Sequence, residues 1–187
     1  MSKPRTPGLP GIGRRVLAAL FIGGASSGCV NGAGLQHPPF QLPVDMSHAQ
    51  TVVEAEFEIR EETFYAFNLL YPFKEGDAAG RAQAVRLAGA PFLNPATGRW
   101  EEPGAGIDVH LSVIALAADG GQDRTVHDSE IERPRKTSAT ADKLVSRLAS
   151  VKLAPGRFKV RLVNRHDAPQ YRDAGTQFSV VRAYMGK

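Results

Sequence analysis

Apolar and polar residues alternate along several stretches of the chain, a pattern typical of β-strands with one buried face. The clearest stretch runs from Val53 to Ile59, where Val, Ala, Phe and Ile alternate with glutamates. The same period of two predicts further strands over 107–115 and 158–162, and two more strands are predicted over 125–132 and 176–184. The C-terminal three quarters of the chain is therefore expected to be rich in β-structure.

An aromatic strand and a short helix are predicted between the first of these strands and the second. Residues 64–73 are rich in aromatic and branched residues, and Tyr65, Phe67, Leu69 and Tyr71 share one face of that strand. Asp77 is a suitable N-cap for a helix over 78–88, and Gly89 is a suitable stop. Residues 89–106 are predicted to form a long loop.

Residues 133–150 fit two interpretations. Leu144, Leu148 and Val151 recur at helical spacing, but the same segment is equally compatible with two short strands separated by a polar turn. Pro155 and Gly156 then occupy the central positions of a tight turn. With about seven strands and one short helix, the sequence predicts an all-β antiparallel sandwich of immunoglobulin-like or fibronectin-like type.

Residues 1–28 have the organisation of a secretory signal peptide. A basic start is followed by the apolar run 16–22 and then by small residues. The apolar run is too short to cross about 30 Å of hydrocarbon as a permanent helix. An ordinary arginine-rich secretion signal is favoured over the twin-arginine signal that Arg14 and Arg15 suggest.

The stretch Gly23 to Cys29, GGASSGC, has two interpretations. It contains G-x-S-x-G around Ser26, the pattern of a serine-hydrolase nucleophile elbow, but the sequence predicts neither a buried strand before it nor a helix after it. Gly28-Cys29 instead resembles the end of a bacterial lipoprotein signal, although Ser26 stands where leucine is usual. Cys29 is the only cysteine, so an exported chain has no partner for a disulfide. Lipidation of Cys29 is predicted, with cleavage after Ser27 as the alternative, and Val30 after the cysteine favours the outer membrane.

The net charge changes once the signal is removed. The four basic residues of the signal account for the whole formal charge of +4, leaving 19 basic and 19 acidic residues after position 28. A neutral exported chain gives no electrostatic reason to expect a nucleic acid as partner. The Gly- and Pro-rich residues 29–45 are interpreted as a lipidated tether, and residues 46–187 as the β-sandwich domain.

Several segments together resemble a known family. They are Pro43-Val44-Asp45-Met46-Ser47, VEAEFEI, FYAFNLLY, Arg86-Leu87-Ala88-Gly89, IDVHLSVI and the ending LAPGRFKVRLVNRHDAPQ with AGTQFSV. From about residue 43 to 181 the chain resembles the bacterial lipoprotein family catalogued as domain of unknown function 5625. The resemblance implies an exported β-sandwich. It implies no particular activity and transfers no functional residue.

The titratable residues do not form a recognisable catalytic or metal-binding pattern. Asp108 and His110 share the outward face of a predicted strand, but no second cluster at ligand spacing accompanies them, and no metal or cofactor is predicted. The acidic stripe of the first strand and the basic stripe Arg157, Lys159, Arg161 are interpreted as solvated outer faces, with docking surfaces of opposite sign as the alternative.

The loop 89–106 is the predicted partner-binding segment. It carries the single tryptophan, Trp100, together with Phe92 and Arg99, and Trp with Arg is enriched at binding hot spots. The alternative is that Trp100 folds back over the core. The resulting hypothesis is a non-enzymatic, membrane-tethered module that binds an envelope or effector protein; a glycan- or small-ligand-binding sandwich, suggested by the aromatic strand, is the alternative.

Overall fold

The computed structural model describes residues 29–31, 34–89, 92–94, 97–101, 105–118 and 121–184. Within these ranges the elements follow one another as Cys29–Asn31 (β1), Phe40–Pro43 (β2), Val52–Ile59 (β3), Thr63–Pro72 (β4), Ala78–Ala88 (α1), Phe92–Asn94 (β5), Arg99–Glu101 (β6), Asp108–Ala115 (β7), Arg124–Glu132 (β8), Lys136–Ala139 (β9), Lys143–Leu153 (β10), Gly156–Asn164 (β11), a 3-10 turn at Pro169–Tyr171, and Gln177–Arg182 (β12).

Two five-stranded sheets form a sandwich. Sheet A has the strand order β1-β3-β11-β7-β8, and sheet B has the order β2-β12-β4-β10-β9. All neighbours pair antiparallel except β1, which runs parallel to β3. The predicted fold class, an all-β sandwich with one short helix, is confirmed.

Aromatic rings from both sheets meet in the centre of the sandwich. Phe57 of sheet A is fully buried, and its ring lies 5.6 Å from that of Phe158, 5.8 Å from Phe40 and 6.2 Å from Phe67. Such ring pairs contribute about 0.5–1.5 kcal/mol each beyond the burial of their area. The alternation seen in the sequence therefore places alternate side chains of the central strands of both sheets in a single core.

Helix α1 begins and ends at the predicted residues. The Asp77 carboxylate accepts a hydrogen bond from the Gly80 N–H at 2.9 Å, which satisfies one of the free donors of the first turn. Gly89 adopts a left-handed conformation with φ of 66°, and its N–H donates to the Val85 carbonyl. Local capping alone explains both ends of the helix.

The ambiguous segment 133–150 forms strands, not a helix. In β10 the pairing register with β4 shifts between Arg147 and Ala149, so that Leu148 is an extra, bulged residue. Even-numbered residues such as Leu144 face the core before the bulge, and odd-numbered residues such as Val151 face it afterwards. Because the core-facing positions change from even to odd numbers at the bulge, Leu144, Leu148 and Val151 are four and three residues apart. The same spacing is typical of a helix, which explains the ambiguity of the sequence.

The predicted tether is wrong for residues 40–45. Phe40, Leu42 and Val44 are buried at 7%, 8% and 5% exposure, and β2 pairs with β12 at the edge of sheet B. Gln36 also hydrogen-bonds on both sides of Phe57 through the backbone of β3. The many prolines and glycines of this segment led to the tether prediction, although Phe40, Leu42 and Val44 alternate with polar residues and proline. Pro43 is compatible with a strand here because it lies at the end of an edge strand.

Candidate binding surface

The predicted partner-binding residues lie on a small hairpin outside both sheets. β5 and β6 pair only with each other among the described strands, with Leu93 opposite Trp100 and Phe92 opposite Glu101. The side chain of Arg99 is exposed. The structure therefore brings Phe92, Arg99 and Trp100 onto one ribbon, and a binding role for them stays a prediction.

The long-loop prediction over 89–106 is wrong for this hairpin. Its turn contains Gly98 with φ of 63°, and the Arg99 N–H donates to the Thr97 side chain at 3.4 Å. Strands of three residues are too short for period-two alternation to reveal them, so the turn residues were the only available signal. The signal peptide and the motif around Ser26, in contrast, lie outside the described residues.

The outer face of sheet A is covered by paired charges. The acidic stripe of β3 and the basic stripe of β11 belong to adjacent strands, so the two stripes contact each other. Lys159 bonds to Glu54, and Arg157 bonds to Glu56 at 2.8 Å. The solvated-face interpretation fits this arrangement, because neighbouring stripes that neutralise each other do not form two docking surfaces of opposite sign.

Asp108 and His110 do share the outward face of β7, but each contacts a different partner. His110 Nε2 lies 2.7 Å from Asp128 Oδ1, whereas Asp108 Oδ2 lies 3.5 Å from Nε2 of His166. Asp108 also accepts a hydrogen bond from the Arg133 N–H at 3.2 Å. In the part of the chain that the structure describes, no three His, Cys, Asp or Glu residues are close enough to hold a metal ion.

The aromatic row predicted on β4 is buried. Tyr65, Phe67 and Tyr71 are exposed by 7%, 0% and 1% and face the core. Burial raises the pKa of Tyr71 and of Tyr171, whose rings lie 6.3 Å apart, so both hydroxyls stay protonated. Tyr171 donates to the Leu87 carbonyl at 2.9 Å and ties the 3-10 turn to helix α1. These tyrosines are part of the core and do not form a ligand platform.

The outer face of sheet B differs from that of sheet A. Four residues on its central strands are less than 5% exposed although they point away from the core: Ala66, Asn68, Leu70 and Ser179. They form the floor of a shallow depression of about 270 Å³, called here the Asn68 recess. The Asn68 Nδ2 donates to the Ser179 hydroxyl at 3.3 Å across the floor.

The rim of the Asn68 recess carries basic and aromatic groups. Lys143, Arg147 and Arg182 line it, and Tyr184 beside them is 86% exposed. No acidic residue is among its described lining residues. An uncharged floor with Tyr and Arg at the rim has the composition that protein interfaces favour.

The chain matches one family model, described as Domain of unknown function (DUF5625), over residues 41–182. The chain belongs to this family. A crystal structure of a protein from Sulfurospirillum deleyianum shares 15% identity with a TM-score of 0.60, covering 78% of this chain and 97% of that one. An insecticidal delta-endotoxin from Bacillus thuringiensis shares 9% identity with a TM-score of 0.28, covering 78% of this chain and 20% of that one. The comparison with curated proteins found no match.

Sequence reasoning did not find the Asn68 recess of this DUF5625 domain. Its floor combines residues of β4 with Ser179 of β12, and Asn68 and Ser179 are 111 residues apart in the chain. The one available signal was that apolar residues occur on both faces of residues 64–73, which indicates a strand covered on two sides. In the described part of the DUF5625 chain, no helix has the length and apolar character needed to cross a bilayer.

Proposed function

We propose that this protein is a non-enzymatic, membrane-tethered protein-binding module of the bacterial cell envelope. A lipid on Cys29 holds it at the outer membrane, facing the periplasm, and an envelope or effector protein binds to the Asn68 recess. The observation that carries the proposal is the contrast between the two outer faces of the sandwich. One is covered by mutually neutralised charges. The other is a depression with an uncharged floor, an exposed tyrosine and three basic residues at its rim, of which Lys143 pairs with Asp142 and Arg182 with Glu61.

The depression suits a protein partner for energetic reasons. Its floor is preformed, since Asn68 and Ser179 already satisfy each other by a hydrogen bond. A partner side chain that enters it loses little conformational freedom on the receptor side, and preorganisation of this kind lowers the cost of binding. Tyr184 offers a large ring with few rotatable bonds, which is a common anchor in protein interfaces.

The anchor position affects how the domain is presented. Cys29 lies opposite Val52 at the start of β1, and residues 40–45 pack in the sandwich and are not part of a spacer. A lipid on Cys29 therefore holds the domain close to the bilayer, and the partner must reach it there. This replaces the flexible tether of a few nanometres that the composition of residues 29–45 suggested.

Site-specific photocross-linking in the native host tests the proposal. A photoreactive phenylalanine analogue replaces Tyr184 at the rim of the recess, and the matched control carries it at the exposed Arg161 on sheet A. We expect a discrete protein adduct from position 184, none from position 161, and a weaker adduct when Cys29→Ala removes the anchor. No adduct at 184, or equal adducts at both positions, contradicts protein binding at this face.

The alternative, a glycan- or small-ligand-binding sandwich, was suggested by the aromatic strand. Tyr65, Phe67 and Tyr71 face the core, so that particular platform does not exist on the surface. Absence of adducts at position 184 would direct the next experiment to glycan and small-ligand screens. A Cys29→Ala variant that fractionates with membranes like the wild type would overturn the lipid anchor independently of the partner.

A further inference from the structure

Among the strands that the structure describes, none pairs with one side of the C-terminal half of β10. β4 pairs with β10 along its whole length from Lys143 to Leu153. On the other side β9 pairs only with Leu144, Val145 and Ser146. Among the described residues, no strand pairs with 147–153 on that side. Seven residues span about 23 Å, which is the length of an ordinary strand. Within the described part of the chain, no strand bonds to the outward-pointing peptide groups of this half, so they can pair with an added strand.

A second depression lies beside the lower end of this edge. Its volume is about 310 Å³, and it lies where Pro155 and Gly156 carry the chain from sheet B to sheet A. Apolar side chains of Val126, Leu153 and Phe158 line it, and it is called here the Phe158 recess. Val126 is the bulged residue of β8, so the edge of sheet A turns aside at this level. The Phe158 recess therefore lies between strand β8 of sheet A and strand β10 of sheet B.

The charge around this recess is mainly positive. Three basic residues, Arg124, Lys152 and Arg157, line the Phe158 recess against one acidic residue, Glu62, and β10 itself carries Lys143, Arg147 and Lys152 and no acidic residue. Of these groups, Lys152 bonds to Glu62 at 2.6 Å. An acidic partner segment meets complementary charge along this edge.

The same charges disfavour a second copy of this chain at the edge. Two β10 edges paired with each other would bring Arg147 and Lys152 of one copy beside the basic residues of the other. Like charges directly opposite each other destabilise strand pairs, and basic residues on edge strands commonly prevent self-association. The edge is therefore selective for a strand of opposite charge.

We propose that the partner contributes an extended segment of alternating acidic and apolar residues, which adds to sheet B beside residues 147–153. Its backbone pairs with the outward-pointing peptide groups of β10. Its acidic side chains lie on the outer face beside Arg147 and Lys152, and its apolar side chains point towards the Phe158 recess. This inference rests on the proposed function and identifies the chemistry of the partner; Arg147 belongs to both the edge and the rim of the Asn68 recess.

Peptide binding to the full-length protein tests whether an acidic segment adds to sheet B as a strand. The probe is a nine-residue blocked peptide of alternating glutamate and valine, measured by fluorescence anisotropy at low salt. The comparison peptides are its lysine-valine counterpart, a block peptide of the same composition, and a version methylated on alternate backbone nitrogens. We expect measurable binding only for the alternating acidic peptide, with loss on methylation because strand addition needs its N–H groups. Equal binding of the block or methylated peptide refutes strand addition.

A matched pair of charge reversals locates the site. We expect Arg147→Glu to weaken binding at least about tenfold, whereas Arg81→Glu on the exposed side of α1 changes it less than about twofold. Both variants have the same net charge, so an effect of overall charge would weaken binding equally and overturn the assignment. Thermal unfolding of each variant confirms that it is folded.

The outcomes separate this inference from the proposed function. If adducts form at position 184 but the peptide does not bind, the proposed protein-binding function is supported and the addition of an acidic strand is refuted. Peptide binding that perturbs amide resonances of residues 147–153 supports the strand even if the lipid anchor is refuted. Perturbations confined to the floor of the Asn68 recess would place the peptide elsewhere and overturn the inference.

Discussion

Asn164 offers the sharpest test of how this sandwich is held together. Its side chain is fully buried at the end of β11. The amide Nδ2 donates to the carbonyls of Met46 at 2.8 Å and of His48 at 2.9 Å, and Oδ1 accepts from the His166 N–H at 3.3 Å. One side chain thus joins the loop after β2 to the loop after β11.

Asn68 is a matched control for removal of the Asn164 side chain. Each net hydrogen bond contributes about 1 kcal/mol, and a buried carbonyl left without a donor costs about 1–3 kcal/mol. We therefore expect Asn164→Ala to lower the free energy of unfolding by about 2–4 kcal/mol. Asn68 is almost as buried, but its Nδ2 contacts are 3.3 and 3.5 Å long. Asn68→Ala is expected to cost less than about 1 kcal/mol.

Urea unfolding followed by circular dichroism measures the free energy of unfolding of both variants. The dependence of this free energy on urea concentration is compared between variants to confirm that the same surface is exposed on unfolding. Equal losses for Asn164→Ala and Asn68→Ala would refute the reasoning, because burial alone and not hydrogen-bond geometry would then decide the cost. A loss below about 1 kcal/mol for Asn164→Ala would refute it as well.

Asn164→Asp adds a pH test at the same position. A carboxylate there faces two carbonyl oxygens in a buried site, so its pKa is expected to rise above the ordinary value of about 3.9. The folded state then holds its proton more tightly than the unfolded state, and the variant loses stability relative to the wild type as the pH rises through about 4 and above. A stability difference that does not change with pH would contradict this.

Three other features give smaller, separable effects. Asp77→Ala and Gly89→Ala each remove a helix cap and should lower stability by about 1 kcal/mol in denaturant unfolding; no loss for either would contradict the capping account. Burial lowers the pKa of His127, so the unfolded state takes up the proton first as the pH falls. The wild type should therefore lose stability more steeply than His127→Gln between about pH 7 and 5, and equal slopes would exclude this cause. A double-mutant cycle of Lys159→Met and Glu54→Gln should give a coupling below about 1 kcal/mol, since both groups are on the solvated face of sheet A; a larger coupling would show a structural role.

The predictions that succeeded depend on neighbouring residues alone. Helix α1 has its predicted bounds because Asp77 and Gly89 bond to groups within four residues of them. The strand from Val52 to Ile59 follows from a strict alternation in which every second side chain enters the core. Local signals of this kind do not require knowledge of what the element packs against.

Two of the predictions that failed or were left open involve contacts distant in the chain, and a third involves a short local hairpin. β10 has eleven residues and its partner β4 has ten, so Leu148 is bulged. The bulge gives the strand an apolar spacing that resembles that of a helix. β2 becomes a strand because β12, more than a hundred residues later, supplies its partner. The hairpin of β5 and β6 escaped detection because each strand has three residues.

The sequence by itself determined the all-β class, the helix and its caps and the alternating core, because each depends on adjacent residues or on composition. The export signal stays a prediction from the same kind of local pattern. Only the tertiary structure decided that the two charged stripes neutralise each other, that the aromatic row is buried, and that Asn68, Arg147 and Tyr184 surround one recess. It also decided which half of β10 has no neighbour on one side among the described strands. These properties depend on the order of strands in each sheet, and strand order is set by the packing of the whole sandwich.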